Sequence, residues 1–146
     1  MKIAFANDHR GYNLKKYLIE ELKKNYEVLD LGTNSTQSVD FPEYGIALGE
    51  AIINKEADLG IAICGTGIGI SIAANKVKGI MCAKISDGTE ARLAKEHNNA
   101  NIIALSGDLP QSEALNMVNI FLNSTPNTEE KYQRRINEIL EYDNER

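Results

Sequence analysis

The sequence predicts one three-layer α/β/α domain built on a five-stranded parallel, Rossmann-like sheet. Three observations carry this expectation. Five short runs with apolar centres, at residues 2–6, 26–31, 59–63, 80–83 and 100–105, alternate with segments of helical periodicity, as a chain of βαβ units requires. Strands of this kind belong to parallel sheets covered on both faces. Polar, glycine-containing segments follow the strands directly, Asp8-His9 after the first, Cys64-Gly65-Thr66 after the third and Ser106-Gly107-Asp108 after the fifth. Ligands in such sheets bind beyond the carboxyl ends of the strands, so these segments are expected to share one rim.

Each element has its own signal. After the first strand, Asn7-Asp8-His9-Arg10-Gly11 breaks the apolar pattern. Leu14, Tyr17, Leu18 and Leu22 recur at helical spacing, which predicts a helix over 12–24. Val28 and Leu29 centre the second strand, Gly32 ends it, and 33–40 is a polar loop. Phe41-Pro42 opens the next helix, with Pro42 in the first turn, where its missing N–H costs nothing; Tyr44, Ile46, Ala47 and Ala51 give that helix an apolar face. The run from Ile61 to Lys76 reads as strand, glycine turn and helix, with glycines at 65, 67 and 69. Gly79 precedes the fourth strand. Ser86 or Asp87 caps a helix through Lys95, with Glu90 in its first turn, and His97-Asn98-Asn99 follows as a polar loop. A helix over 110–122 turns Ala114, Leu115, Val118 and Leu122 inward, and a linker with Pro126 leads to a last helix over 128–141 with a stripe of Ile136, Ile139 and Leu140. The 146 residues thus divide into a core, 1–125, and a C-terminal segment, 126–146, whose detached, partly apolar helix is expected to reach a partner subunit.

Composition narrows the function classes. A content of 42% hydrophobic and 25% charged residues is that of an ordinary globular domain. The net charge of −5 argues against nucleic acid or an anionic membrane as partner. The apolar run at the N-terminus is too short for a signal peptide, and none approaches the ~20 residues of a membrane span; a cytoplasmic location is the default expectation. Two cysteines without CxxC spacing speak against a disulfide framework or a metal site.

The glycine turn is where chemistry is expected. A helix N-terminus offers unpaired N–H groups and a partial positive charge, an anion site when glycines let the backbone approach. Here the turn also carries the Cys64 thiol and the Thr66 hydroxyl. At the start of a helix a cysteine is favoured as the thiolate, so for Cys64 a catalytic role outweighs the alternative of packing, whereas Cys82, inside the fourth strand, reads as a small buried hydrophobe. Thr66 has the alternative of bonding its own turn, Asp8 and His9 of capping the first helix, and His97 of complementing a helix C-terminus. Gly65-Thr66-Gly67-Ile68-Gly69 has neither the dinucleotide spacing nor a Walker lysine.

Taken together, these residues resemble the sugar-phosphate isomerases comprising ribose-5-phosphate isomerase B and the two subunits of galactose-6-phosphate isomerase. The resemblance covers nearly the whole chain. It is carried by Met1-Lys2-Ile3-Ala4-Phe5 with Asp8-His9, Asp40-Phe41-Pro42, Ile63 to Gly69 with Ser71 to Lys76, and His97-Asn98 with Ala100-Asn101. It implies a cofactor-free aldose–ketose isomerase working through a cis-enediolate, with ribose 5-phosphate as first substrate. A hexose or modified sugar phosphate such as galactose 6-phosphate or allose 6-phosphate, or a sugar-phosphate-binding module without catalysis, is the alternative.

By the same resemblance Cys64 is the base, Thr66 relays a proton between the substrate oxygens, and Asp8 and His97 assist ring opening. The backbone of Gly65, Gly67, Ile68 and Gly69 holds the enediolate oxygen, His9, Lys131 and Arg135 face the phosphate, and Asn98 binds sugar hydroxyls. Members without the thiol use a glutamate where this chain has Ile70. The family site lies between two subunits, which implies a homodimer or dimer of dimers. Four positions depart from the family pattern: Phe41 replaces a tyrosine, Asp108 a phosphate-binding arginine, and Lys131 and Tyr132 fall in a segment that usually reads glycine-glycine-arginine-histidine. Arg10 and Arg92 are the cations available to offset Asp108.

Overall fold

Strands and helices alternate along the chain as the periodicity predicts. The computed structural model describes residues 1–146. In order they are β1 (Lys2–Asn7), α1 (Tyr12–Leu22), β2 (Glu27–Asp30), α2 (Phe41–Ile53), β3 (Leu59–Cys64), α3 (Ile68–Asn75), β4 (Cys82–Lys84), α4 (Gly88–Asn98), β5 (Ile102–Ser106), α5 (Gln111–Asn123) and α6 (Glu130–Glu145). All strands are parallel, in the order β2-β1-β3-β5-β4.

The two faces of the sheet are built differently. Side chains alternate across a strand, so Ile3, Phe5, Ile61, Ile63, Ile103 and Leu105 pack on one face against α1, α4 and α5. The other face presents Ala4, Ala6, Ala62, Cys64 and Ala104 to α2 and α3. Small residues draw those helices close. A Cβ on Gly45 would lie 2.9 Å from both Ala73 Cβ and the Ile70 carbonyl oxygen, and one on Gly60 would lie 3.0 Å from Leu48 Cδ1.

This close packing corrects the expected face of α2. Its buried stripe is Gly45, Leu48, Gly49, Ala51 and Ile52, while Ile46 and Ala47 are exposed. Periodicity follows hydrophobic side chains, and two of these five residues are glycines. Most boundaries also move by a residue or a few, the last helix to Glu130–Glu145 rather than 128–141. α1 ends at Leu22, and β4 starts at Cys82 because Ile80 closes a turn onto the Val77 carbonyl. α4 continues to Asn98, where Asn99 ends it in the left-handed conformation at φ 48°. His97 and Asn98 therefore occupy a helical last turn rather than a loop.

The last helix is not detached from its own chain. Asn127 N–H donates to the Glu96 carbonyl at 2.8 Å, and the Tyr132 ring stacks on His97 at 4.6 Å. Ile136 is buried, and Gly79 N–H donates to Asp143 Oδ2 at 2.7 Å. That hydrogen bond, with help from Arg146, holds the Asp143 carboxyl below its usual range. The residues α6 touches are the C-terminal turns of α3 and α4 and the segments leading into β4. In a parallel βαβ sheet these all lie where strands begin, so α6 runs across the N-terminal rim.

Candidate active site

Cys64 ends β3 at the opposite, C-terminal rim. It pairs with Ser106, is 3% exposed, and its side chain lies on the small-residue face. The chain then turns back through Gly65, Thr66 and Gly67 into α3. Gly67 has φ +80°, and a Cβ there would lie 2.9 Å from the Leu105 carbonyl carbon. Only glycine meets both demands. Gly67→Ala should therefore cost about 2 kcal/mol or more of stability, read as a lowered urea midpoint at unchanged m; a variant as stable as the parent would contradict the strain.

The turn is clamped on every side. Ser106 Oγ donates to the Gly65 carbonyl at 2.7 Å, and Gly107 N–H donates to the Cys64 carbonyl at 2.8 Å. On the α2 side the Phe41 ring lies on Gly69, its Cζ only 2.6 Å from where a Cβ would stand. Inside the turn, Gly67 N–H points at Cys64 Sγ, 3.2 Å away, and Ile68 N–H at Thr66 Oγ1, 3.1 Å away. The expected donor set for an oxyanion is thereby redistributed. The N–H groups of Gly67 and Ile68 are committed within the turn, while those of Gly65, Thr66, Gly69 and Ile70 have no protein acceptor. The sulfur is fixed beside four free donors at a helix N-terminus, an arrangement suited to charge that develops on oxygen as a proton leaves carbon.

Asp8 and His9 stand beside this turn, since β1 and β3 are neighbours and Asp8 N–H donates to the Ile63 carbonyl. Asp8 caps the short 3-10 turn, His9–Gly11, that leads into α1, rather than α1 itself: Oδ1 accepts from Arg10 N–H at 2.9 Å and Gly11 N–H at 3.2 Å. This leaves Oδ2 for a ligand. His9 Nδ1 accepts from Val39 N–H at 3.2 Å, so in the neutral ring the proton sits on Nε2. The loop carrying Val39 is itself anchored by Lys15, buried to 1% exposure, whose Nζ donates to the Thr33 carbonyl, Asn34 Oδ1 and Asp30 Oδ1.

The remaining predicted residues are elsewhere. His97 and Asn98 end α4, and Lys131 and Arg135 project from the first turns of α6, all on the N-terminal rim. Asn98 lines a hollow of about 430 Å³ there with Asn75, Cys82, Ile139 and Asp143. Burial pushes the Cys82 thiol up to about 12. Between that rim and Cys64 lies the length of β3 from Gly60, roughly 13 Å at about 3.3 Å per residue. One chain brings Asp8, His9, Cys64 and Thr66 together and keeps His97, Asn98, Lys131 and Arg135 apart from them. Sequence reasoning missed the role of Ser106, the last residue of β5, in clamping the turn; the polar run Ser106-Gly107-Asp108 closing an apolar strand was the available signal.

Comparison with known proteins places this architecture. Residues 3–139 match the family model described as Ribose/Galactose Isomerase. The chain is 41% identical to a probable ribose-5-phosphate isomerase B of Mycoplasma genitalium, over 98% of this chain and 96% of that one. A solved structure of Clostridium thermocellum ribose-5-phosphate isomerase B superposes with a TM-score of 0.95 at 44% identity, covering 99% of both chains. The Mycoplasma genitalium ribose-5-phosphate isomerase B with bound ribulose-5-phosphate superposes at 0.92 and 40% identity, covering 99% of this chain and 97% of that one.

Proposed function

The chain belongs to the ribose/galactose isomerase family, and from that premise we propose how it converts ribose 5-phosphate to ribulose 5-phosphate. It is an aldose–ketose isomerase. Cys64 takes the proton from C2 of the open-chain aldose and returns it to C1. Charge developing on oxygen in the cis-enediolate is met by the free N–H groups of the glycine turn, and Thr66 relays the second proton between O2 and O1. Asp8, through Oδ2, and His97 open the sugar ring by general acid–base catalysis, Asn98 holds sugar hydroxyls, and His9, Lys131 and Arg135 receive the phosphate. The scheme needs no metal or organic cofactor. The observation that carries it is the sulfur held 3.2 Å from the Gly67 N–H at a turn whose neighbouring donors are free.

The active species is a homodimer, alone or within a dimer of dimers, with each site shared. Two observations support this reading. The residues of the scheme lie on opposite rims of one chain, and a two-fold arrangement that sets one rim against the other completes two sites at once. Ile68 and Ile72 beside the turn are 54% and 57% exposed, and Ile72 lines an apolar hollow with Phe41 and Ile46 that a second copy would cover. No helix is long and apolar enough to cross a membrane.

The test is an isomerase assay of the purified chain on ribose 5-phosphate. Ribulose 5-phosphate should form at a rate unchanged by a chelator. Turnover of an aldohexose 6-phosphate in its place would move the substrate assignment, and binding without turnover of either would overturn the reaction.

A further inference from the structure

Arg10 follows His9 in the first loop, and its side chain, though more than half exposed, folds back against the glycine turn. The Nη1, Cζ and Nε atoms lie 2.9–3.1 Å from where a Cβ on Gly65 would stand, so the guanidinium rests on the first glycine of the turn. Its backbone is fixed at both ends of the residue. Asp8 Oδ1 accepts from its N–H, and its carbonyl oxygen presses on Gly107, where a Cβ would come within 2.3 Å. The guanidinium is thus delivered to one place by groups that belong to the site.

Its charge is only loosely spent. The nearest carboxylate is Asp108, with Nη2 and Oδ2 3.5 Å apart and the two side chains 57% and 75% exposed. A single long contact between exposed groups contributes little, and the fork of the guanidinium is not filled. Arg92, Arg134 and Arg146, by contrast, each hold a carboxylate at 2.6–2.8 Å. A guanidinium beside free backbone donors, tied to a carboxylate it can easily exchange, is arranged to bind a second anion.

We propose that Arg10 is a substrate-binding residue of this site that takes the phosphate monoester, and that Asp108 is its built-in competitor, released when the phosphate binds. The inference rests on the sugar-phosphate reading of the site and adds to it a specificity element made of these two side chains. A phosphate dianion outbids one distant carboxylate for a planar fork. A sugar without the phosphate has no means to draw Arg10 away from Asp108, so the pair selects for the anionic end of the ligand. Asp108 lowers the affinity for that end and thereby holds KM up.

The experiment measures KM and kcat for ribose 5-phosphate, and the Kd of inorganic phosphate by calorimetric titration, in the dimer as purified. Arg10→Gln should raise KM and the phosphate Kd about tenfold with kcat little changed, as loss of uniform binding requires. Arg10→Lys, which keeps the charge and loses the fork, should fall between. Asp108→Asn should shift both constants the other way, several-fold. Lys24→Gln, an equal change of charge just beyond the end of α1 at its ion pair with Glu21, should leave both where they are. Equal KM and phosphate Kd in Arg10→Gln and the parent would overturn the proposal, as would an equal response to Lys24→Gln. If the parent fails to turn over ribose 5-phosphate, the isomerase reading fails on its own, and the phosphate titration still decides the role of Arg10.

Discussion

Replacing Cys64 with alanine is expected to remove isomerase activity, by about 10³-fold in kcat, while leaving the fold intact. The sulfur is the one group at the glycine turn able to take a proton from carbon. Ile70, in the first turn of α3, is apolar and fully buried. Asp8 has one carboxylate oxygen committed to its cap. Cys82 cannot substitute, since it lies at the start of β4 and burial keeps its thiol protonated up to about 12. Alanine removes a single buried atom next to Ala62, and the Ser106 and Gly107 bonds that clamp the turn use backbone of residues 64 and 65 rather than the sulfur. Loss of kcat with an unchanged melting transition is the expected pair of results. Retention of a tenth or more of the activity, about 1.4 kcal/mol or less of barrier, would remove Cys64 from the role of base.

The second large effect is a gain. Cys64→Ala and His97→Ala should each be inactive as homodimers, and an equal mixture, unfolded and refolded together, should recover about a quarter of the parent activity. Half of the random dimers are mixed, and each mixed dimer carries one site with both substitutions and one with neither. The prediction follows from the placement of the two residues. His97 is in the last turn of α4, stacked on Tyr132, where strands begin, and Cys64 is where β3 ends. A mixture as inactive as its components would mean that His97 acts on no site in its partner, and the shared-site reading would fall.

Most of the sheet could be read from sequence because each strand is a short apolar run and each turn carries glycine. The Cys64 to Gly69 turn was legible for the same reason, as was a cap role for Asp8, though it falls on the short turn before α1. What could not be read depends on contacts made without side chains or between distant elements. The buried face of α2 is made by Gly45 and Gly49, which no hydrophobic pattern reports. The end of α4 depends on Asn99 adopting a left-handed conformation, and α6 is held to its own chain by the Gly79–Asp143 bond and the His97–Tyr132 stack. Arg10 could be named as a cation near the site, but its rest on Gly65 depends on three loops meeting.

The thin side of the sheet has a thermodynamic meaning for ligand binding. Cys64 and the start of α3 sit on a face where Ala4, Ala6, Gly60, Ala62 and Ala104 outnumber the one large strand residue, Ile102, against the glycines of α2. Residues with no rotatable side chain have no side-chain entropy left to lose. The donors and the sulfur are therefore already in position before a sugar phosphate arrives, and the association free energy is spared the cost of freezing them. Freedom is kept where recognition needs adjustment, in the long side chains of Arg10, Lys131 and Arg135 at the margins.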